Sequence, residues 1–287
     1  MPMFKRVQCG FVAVNRNAGR GRMQQQDRAS ADNTPPAGRT FLVARQPMLT
    51  MGIVAVSIIG WAVLAWMVVN MDHPLAQLTM PDSSHWSAVN VLAIWTMWSL
   101  MMAAMMLPSA LPMVLTFVNL SVRSRQQARG WSFVGAYLLV WLTFSAAAAG
   151  AQWALQAMGW INPMIVSTSA WLTGLLLVIA GVYQFSTLKH RCLSRCRTPV
   201  AFLLGQWRAG VSGAFVMGVQ HGLFCLGCCW ALMALLFVGG VMNLAWIAAL
   251  SMAVAIEKLA PGGERWAKAL GLVLMAAGLL KLGVLIT

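Results

Sequence analysis

Long apolar stretches separated by short polar connections are the dominant pattern along the chain. Seven stretches are nearly free of charge. They lie at about 49–70, 89–107, 132–156, 165–186, 211–238, 242–256 and 268–286. Most have the length of about 20 residues that an α-helix needs to cross a bilayer, and they lack the alternation of membrane β-strands. The pattern predicts an all-α, polytopic transmembrane helix bundle with about seven spans.

Lysine and arginine are concentrated in alternate connections between these stretches. The segments that contain nineteen of the 20 basic residues are the first 47 residues, 121–131, 187–210 and 257–268. The connections without Lys or Arg are 71–88, 157–164 and 239–242. Because basic residues accumulate in short cytoplasmic loops, the sequence predicts a cytoplasmic N-terminus and a multi-pass location in the inner (plasma) membrane.

Composition and charge distinguish the first 47 residues from the rest of the chain. The 287 residues carry a net charge of +14, yet only 9% are charged and 60% are hydrophobic. A strongly basic chain is typical of nucleic-acid binding, but here the basic residues lie in the tail and connections, so we expect a lipid bilayer and no nucleic acid as partner. Residues 1–47 lack apolar periodicity, which predicts a disordered basic tail before a transmembrane domain at 48–287.

A histidine and three cysteines in the fifth apolar stretch have the spacing of ligands on one helix face. Cys225 follows His221 by four residues, Cys229 follows Cys225 by four, and Cys228 follows Cys225 by three. Side chains at these separations meet on a helix surface. Thiolate and imidazole suit Cu(I), with Zn or Fe as further possibilities, and three thiols favour the soft Cu(I). The alternative is packing, since free cysteine is a small apolar residue.

Methionines in the second stretch extend the metal hypothesis. Met97, Met101 and Met105 form one i, i+4 row, and thioethers bind Cu(I) without losing a proton. Such a row is also typical of a packed core. Pro108 and Pro112 follow it and predict that the helix bends or ends there.

A second cysteine pair lies in a basic connection. Cys192 and Cys196 have several Lys and Arg neighbours, and we interpret them as a cytoplasmic point of metal acquisition or release. The alternative is a solvated basic loop that contains cysteine. The chain has no GxxxxGK[ST], HExxH or GxSxG motif, so we expect neither ATP-driven pumping nor zinc proteolysis, and no catalytic residue is assigned.

Several motifs together resemble a known family. They are MWSLMMAAMMLPSALPM, a YQ…LK…C…CR segment from Tyr183 to Arg197, GLFCLGCCWALM, GGVMNLAW and EKLAPGG. Between residues 85 and 285 the chain resembles a bacterial domain-of-unknown-function family described as predicted metal-binding integral membrane proteins. The resemblance implies a membrane location and metal binding.

The sequence therefore favours a membrane protein that handles a soft metal ion, with copper(I) preferred, for transport or delivery. A metallochaperone or a metalloenzyme is the partner that such a role implies. Two alternatives stay open. Cys225 and Cys228 could cycle through a disulfide in an intramembrane thiol oxidoreductase. The chain could also be a non-catalytic subunit or assembly factor of a membrane metalloprotein complex.

Overall fold

The computed structural model describes residues 47–81, 86–121 and 126–284, and all of its regular structure is helical. The basic tail that the sequence predicts lies outside the described residues. The helices are α1 (Pro47–Val69), α2 (Pro74–Gln77), α3 (Ala88–Leu120), α4 (Gln126–Ala157), α5 (Ala170–Tyr183), α6 (Thr187–Arg197), α7 (Pro199–Gln206), α8 (Gly210–Ala234), α9 (Leu236–Gly239), α10 (Leu244–Leu259) and α11 (Gly263–Gly283). The described residues contain no β-strand, so the all-α fold class is confirmed.

Five of these helices are long and apolar enough to cross a membrane: α1, α3, α4, α8 with its continuation α9, and α11. A sixth crossing is possible if α5 and α6, which bend by 64° at their junction, form one broken span. The expected count of about seven is not supported. Each of the seven apolar stretches does form a helix, but α5 has 14 residues and α10 has 16. At 1.5 Å per residue they reach about 21 and 24 Å, less than the roughly 30 Å of hydrocarbon.

Polar side chains cap the first turn of several helices, close to where the apolar stretches begin. Ser87 and Asn90 form a capping box at the start of α3, in which each side chain bonds the backbone of the other residue. The hydroxyl of Ser169 accepts from a backbone N–H at the start of α5, and Asn243 does the same at α10. These oxygens satisfy N–H groups that the first helical turn leaves without a partner.

The sequence predicts that α3 bends or ends at its two prolines, and the helix does not end there, because it continues through both of them. Its 33 residues extend to Leu120. Each proline removes only one N–H donor, and the packing of α3 against α1 and α4 on either side stabilises the remaining turns. The Met106 carbonyl accepts hydrogen bonds from Ser109 Oγ (2.9 Å) and from the Tyr137 hydroxyl (3.2 Å).

Basic residues collect at one end of the bundle, which we call the basic end. There the guanidinium of Arg129, near the start of α4, lies 5.2 Å from the ring centroid of Trp207 and 5.8 Å from that of Phe117. The Ser132 hydroxyl donates to the Val211 carbonyl at 3.0 Å. The C-terminal part of α3 thus meets the beginnings of α4 and α8.

The opposite end, which we call the neutral end, joins the connections that lack Lys and Arg. The Gln156 amide donates to the Pro81 carbonyl at 2.7 Å, and the Ser167 N–H donates to the Phe237 carbonyl at 3.0 Å. Successive long helices therefore run between the two ends in alternate directions. Helix α8 packs mainly on α4 and α6, while α5 packs mainly on α11.

Candidate metal centre

Helix α8 places its four predicted ligands inside the protein. His221, Cys225, Cys228 and Cys229 are each at most 3% exposed. The Cys228 and Cys229 thiols donate to the Cys225 carbonyl at 3.1 and 2.9 Å, and all three cysteines are free. The helical spacing thus brings the thiols to one buried face, as i, i+3 and i, i+4 neighbours.

A buried lysine from α10 contacts the sulfur of Cys225. Lys258 Nζ donates to Cys225 Sγ at 2.9 Å and to Ser109 Oγ at 3.2 Å, and it lies 3.8 Å from Met106 Sδ. An ammonium group has three N–H donors, and these three acceptors match them. The ammonium group also interacts electrostatically with the thiols of Cys228 and Cys229. A cation therefore already lies among the soft donors of α8 and α3.

Both tyrosines of the chain contact α8 at this level. The Tyr137 hydroxyl, from α4, lies 3.1 Å from Cys225 Sγ. The Tyr183 hydroxyl, at the end of α5, donates to the Gly227 carbonyl. The sulfur of Cys225 therefore has a phenol on one neighbouring helix and an ammonium on another, which fixes its position.

The cysteines of the basic connection also lie against α8. Cys192 and Cys196 lie on α6, so the alternative of a solvated loop is wrong for this segment; Cys192 is buried and Cys196 is half-buried. Cys196 interacts with Cys228 through its thiol. Cys192 Sγ lies 2.8 Å from the position that a Cβ on Gly227 would take, so a glycine is required there for α6 to approach. We call Cys196, Cys225, Cys228 and Cys229 the thiol cluster.

His221 is buried between aromatic rings on the same face of α8. Its ring stacks on Phe133 and Tyr137 at centroid distances of 5.9 and 5.5 Å. Within the described part of the chain, neither ring nitrogen has a hydrogen-bond partner. Because an unpaired buried polar group is costly, this imidazole has an unused capacity to bind a ligand.

The methionines of α3 divide into two groups. Met97, Met101 and Met105 are buried in the core of the bundle, as a packed row would be. Met102 and Met106 form a second i, i+4 row, and Met106 is the member that contacts Lys258 beside Cys225. The ligand role predicted for the first row is not tested by these contacts and stays a prediction.

The thiols do not form a complete ligand set in this arrangement. Among the described residues, no group of three or more His, Cys, Asp or Glu side chains converges on a point that could hold a metal ion. The thiols of Cys228 and Cys229 do not converge with other donors on a single point, because both donate to a backbone carbonyl of their own helix. A soft ion would bind by drawing a thiol away from that carbonyl.

Comparison with known families relates this chain to copper handling. The model of one protein family, PpoB2, described as copper chaperone, matches residues 95–281, from α3 to α11. This chain belongs to that copper chaperone family. No curated protein and no solved structure matches it. The expected relation to metal handling is thus confirmed at the level of a copper-related family.

Sequence reasoning missed two residues of this copper chaperone family member. Tyr137 and Lys258 contact the cluster, and neither belongs to a pattern that suggested ligands. Glu257 and Lys258 lie in the last turn of α10, shortly before a Pro-Gly turn, and both side chains are buried. The signal that was present is a pair of charged residues directly after an apolar stretch, where a long side chain can turn back into the core.

Proposed function

We propose that this chain is an integral membrane protein that binds Cu(I) at the thiol cluster and passes it to a protein partner. One observation carries the proposal: cysteines from α6 and α8 meet in the interior, and the central one contacts a buried ammonium. Thiolates and thioethers are the ligands that Cu(I) prefers. The copper chaperone family supports copper over zinc or iron as the cargo.

The order of the donors suggests a route for the ion. Cys196 lies on the basic helix α6 and interacts with Cys228, which in turn lies one turn of α8 from Cys225. Met106 follows on α3, in contact with the ammonium that holds Cys225. Cu(I) would move by exchange of one sulfur ligand for the next, with Cys192 and Cys196 as the entry or exit point. Met97, Met101 and Met105 would extend the route toward the neutral end.

The membrane part of the proposal places the basic end in the cytoplasm. Five or six helices have the length and apolar character of spans, and α5 and α10 would serve as short crossings in a chain that crosses seven times. Lys and Arg then lie on the cytoplasmic side together with Cys192 and Cys196. A cytoplasmic metallochaperone would reach the cysteines of α6 from there.

Metal analysis of the purified protein tests the copper assignment. The protein is purified in detergent under reducing conditions, loaded with Cu(I), desalted and analysed for copper. We expect bound copper in the wild type and its loss in Cys225→Ser/Cys228→Ser/Cys229→Ser. The matched control is Cys9→Ser, which removes a thiol from the predicted tail. Equal copper in the wild type and the triple variant would contradict the proposal.

Thiol labelling separates metal binding from the alternative of a cycling disulfide between Cys225 and Cys228. A maleimide mass tag is added to the copper-loaded protein after denaturation, with and without a Cu(I) chelator or a reductant. Metal binding predicts that the chelator alone restores labelling. A disulfide predicts that only the reductant does, which would favour redox chemistry instead.

A further inference from the structure

Lys258 is a buried cation whose hydrogen-bond partners among the described residues include no carboxylate. The other buried lysine, Lys189, pairs with Glu257 at 2.7 Å. Lys258 instead donates to a thiol, a hydroxyl and a thioether. An ammonium group in an apolar interior is costly without a negative partner. The only one of its three acceptors that can carry a negative charge is the sulfur of Cys225.

The position of this charge is rigidly held. Lys258 lies in the last turn of α10, and the neighbouring Glu257 forms the ion pair with α6. The guanidinium of Arg197, also on α6, donates to the carbonyls of Glu257 (2.6 Å) and Ala260 (2.8 Å). The ion pair and these hydrogen bonds thus hold the end of α10 against α6, the helix that carries Cys196. The ammonium is therefore a fixed feature of the site.

Counting charges shows what this ammonium does for a bound ion. A Cu(I) ion with two thiolates has a net charge of −1, and the ammonium brings the total to zero. A divalent ion with the same two thiolates is neutral, so the ammonium would leave the total at +1. Three thiolates would restore the balance for a divalent ion, but among the described side chains no three such donors converge. Uncompensated charge is unfavourable in a low-dielectric interior.

We propose that Lys258 is the counter-charge of a two-thiolate Cu(I) complex, and that it makes the site prefer a monovalent soft ion over a divalent one. This inference rests on the proposed function. Lys258 acts as a positioning and specificity-determining residue, since its ammonium donates to the sulfur of a ligand and does not bind the metal. Outer groups that hold a metal ligand commonly change metal affinity by about 10–100-fold when they are removed.

The test compares variants that keep or remove the charge. Lys258→Met has a similar length without charge, Lys258→Gln is neutral and polar, and Lys258→Arg keeps the charge. Lys281→Met is the matched control, because Lys281 is an exposed lysine on α11. Cu(I) affinity is measured by competition with bicinchoninate, and Zn(II) affinity by competition with a chromophoric zinc chelator, both on the detergent-purified full chain.

We expect Lys258→Met and Lys258→Gln to lower Cu(I) affinity by about 10-fold or more, while Zn(II) affinity is unchanged or higher. Lys258→Arg should retain most of the Cu(I) affinity, and Lys281→Met should match the wild type. The ratio of the two affinities is the decisive quantity, since general damage to the fold lowers both. Removal of a buried charge should also leave the thermal stability of the metal-free protein unchanged or higher.

Three outcomes overturn the inference, and they differ from failure of the proposed function. Unchanged Cu(I) affinity in both neutral variants would show that the charge is irrelevant. An equal fall for both metals, or a loss in Lys258→Arg as large as in Lys258→Met, would show a structural role only. If the wild type binds no Cu(I), the proposed function itself fails, and the inference fails with it.

Discussion

At the scale of single residues, three of the four buried charged side chains in the described part of the chain lie near the thiol cluster: Lys189, Glu257 and Lys258. Glu257 and Lys189 form an ion pair with side chains 3% and 1% exposed. The pair joins α10 to α6 and thereby holds Lys258 and Cys196 in place. A buried ion pair is often no more stable than an apolar replacement, but loss of one partner leaves an unpaired buried charge. The ion pair thus helps to determine the position of α6 relative to α10.

The first prediction concerns this ion pair. Glu257→Gln should lower the free energy of unfolding by about 3–5 kcal/mol, because it leaves the Lys189 ammonium without a negative partner. The double variant Lys189→Met/Glu257→Gln should recover a large part of that loss. Thermal unfolding in detergent measures both, with Lys268→Met at an exposed site as control. A double variant less stable than Glu257→Gln would show that charge pairing is not the cause.

The second prediction separates the two methionine rows of α3. Met101 and Met106 are both fully buried, so replacement by leucine should disturb packing to a similar, small extent, below about 1.5 kcal/mol. Met106→Leu should weaken Cu(I) binding several-fold, as judged by competition with bicinchoninate, because its thioether lies at the cluster. Met101→Leu should weaken it less. The reverse order would favour the row of Met97, Met101 and Met105 as the ligands nearest to the cluster.

At the scale of helices, glycines decide how closely α5 and α11 approach. A Cβ on Gly278 would lie 2.8 Å from Val178 Cγ2 and 2.9 Å from the Gly174 carbonyl oxygen. A Cβ on Gly181 would lie 2.8 Å from the Gly271 carbonyl oxygen. Small residues allow such backbone contacts in membrane helices, where packing replaces the hydrophobic effect as the attraction between helices. The short α5 is thus held by α11 along its length.

The third prediction follows from this interface. Gly278→Ala should lower the free energy of unfolding by about 1–3 kcal/mol, because the added methyl group meets a backbone carbonyl that cannot easily move. Gly150→Ala on α4 is the matched control, since nothing lies within 4 Å of its Cβ position. There alanine should be neutral or stabilising by up to about 1 kcal/mol through its higher helix propensity. Similar melting temperatures for the two variants would contradict close packing of α5 and α11.

At the scale of the whole molecule, the two ends differ in charge. Arg191, Arg208, Arg265 and Lys268 are exposed, and they belong to the segments of the basic end. The described connections of the neutral end contain no Lys or Arg. The proposed membrane orientation depends on this asymmetry. A protease that cleaves after basic residues can therefore test the orientation.

The fourth prediction is that trypsin distinguishes the two sides. Cleavage after the exposed basic residues of the basic end should occur in inverted membrane vesicles and not in intact spheroplasts, as detected by mass spectrometry of the fragments. Met164→Arg introduces a basic residue at an exposed position of the neutral end and should create a site that is cut in spheroplasts. Cleavage of the wild type in spheroplasts at Arg208 would reverse the proposed orientation.

Local periodicity in the sequence was sufficient to predict the helices, the all-α fold class and the shared face of His221, Cys225, Cys228 and Cys229. Those features depend on residues within a few turns of one another, where helical geometry sets the spacing. The length of α5 was not predictable in this way, since the apolar stretch 165–186 continues past both ends of the helix, Ala170 and Tyr183.

Only the tertiary structure decided which residues surround the cysteines. Lys258 contacts Cys225, which is 33 positions away in the sequence, and Met106, which is 152 positions away. Cys196 reaches Cys228 because α6 folds back against α8, and not because of any spacing in the sequence. Contacts between helices depend on how whole surfaces pack, and a pattern of 3.6 residues per turn carries no information about the partner helix.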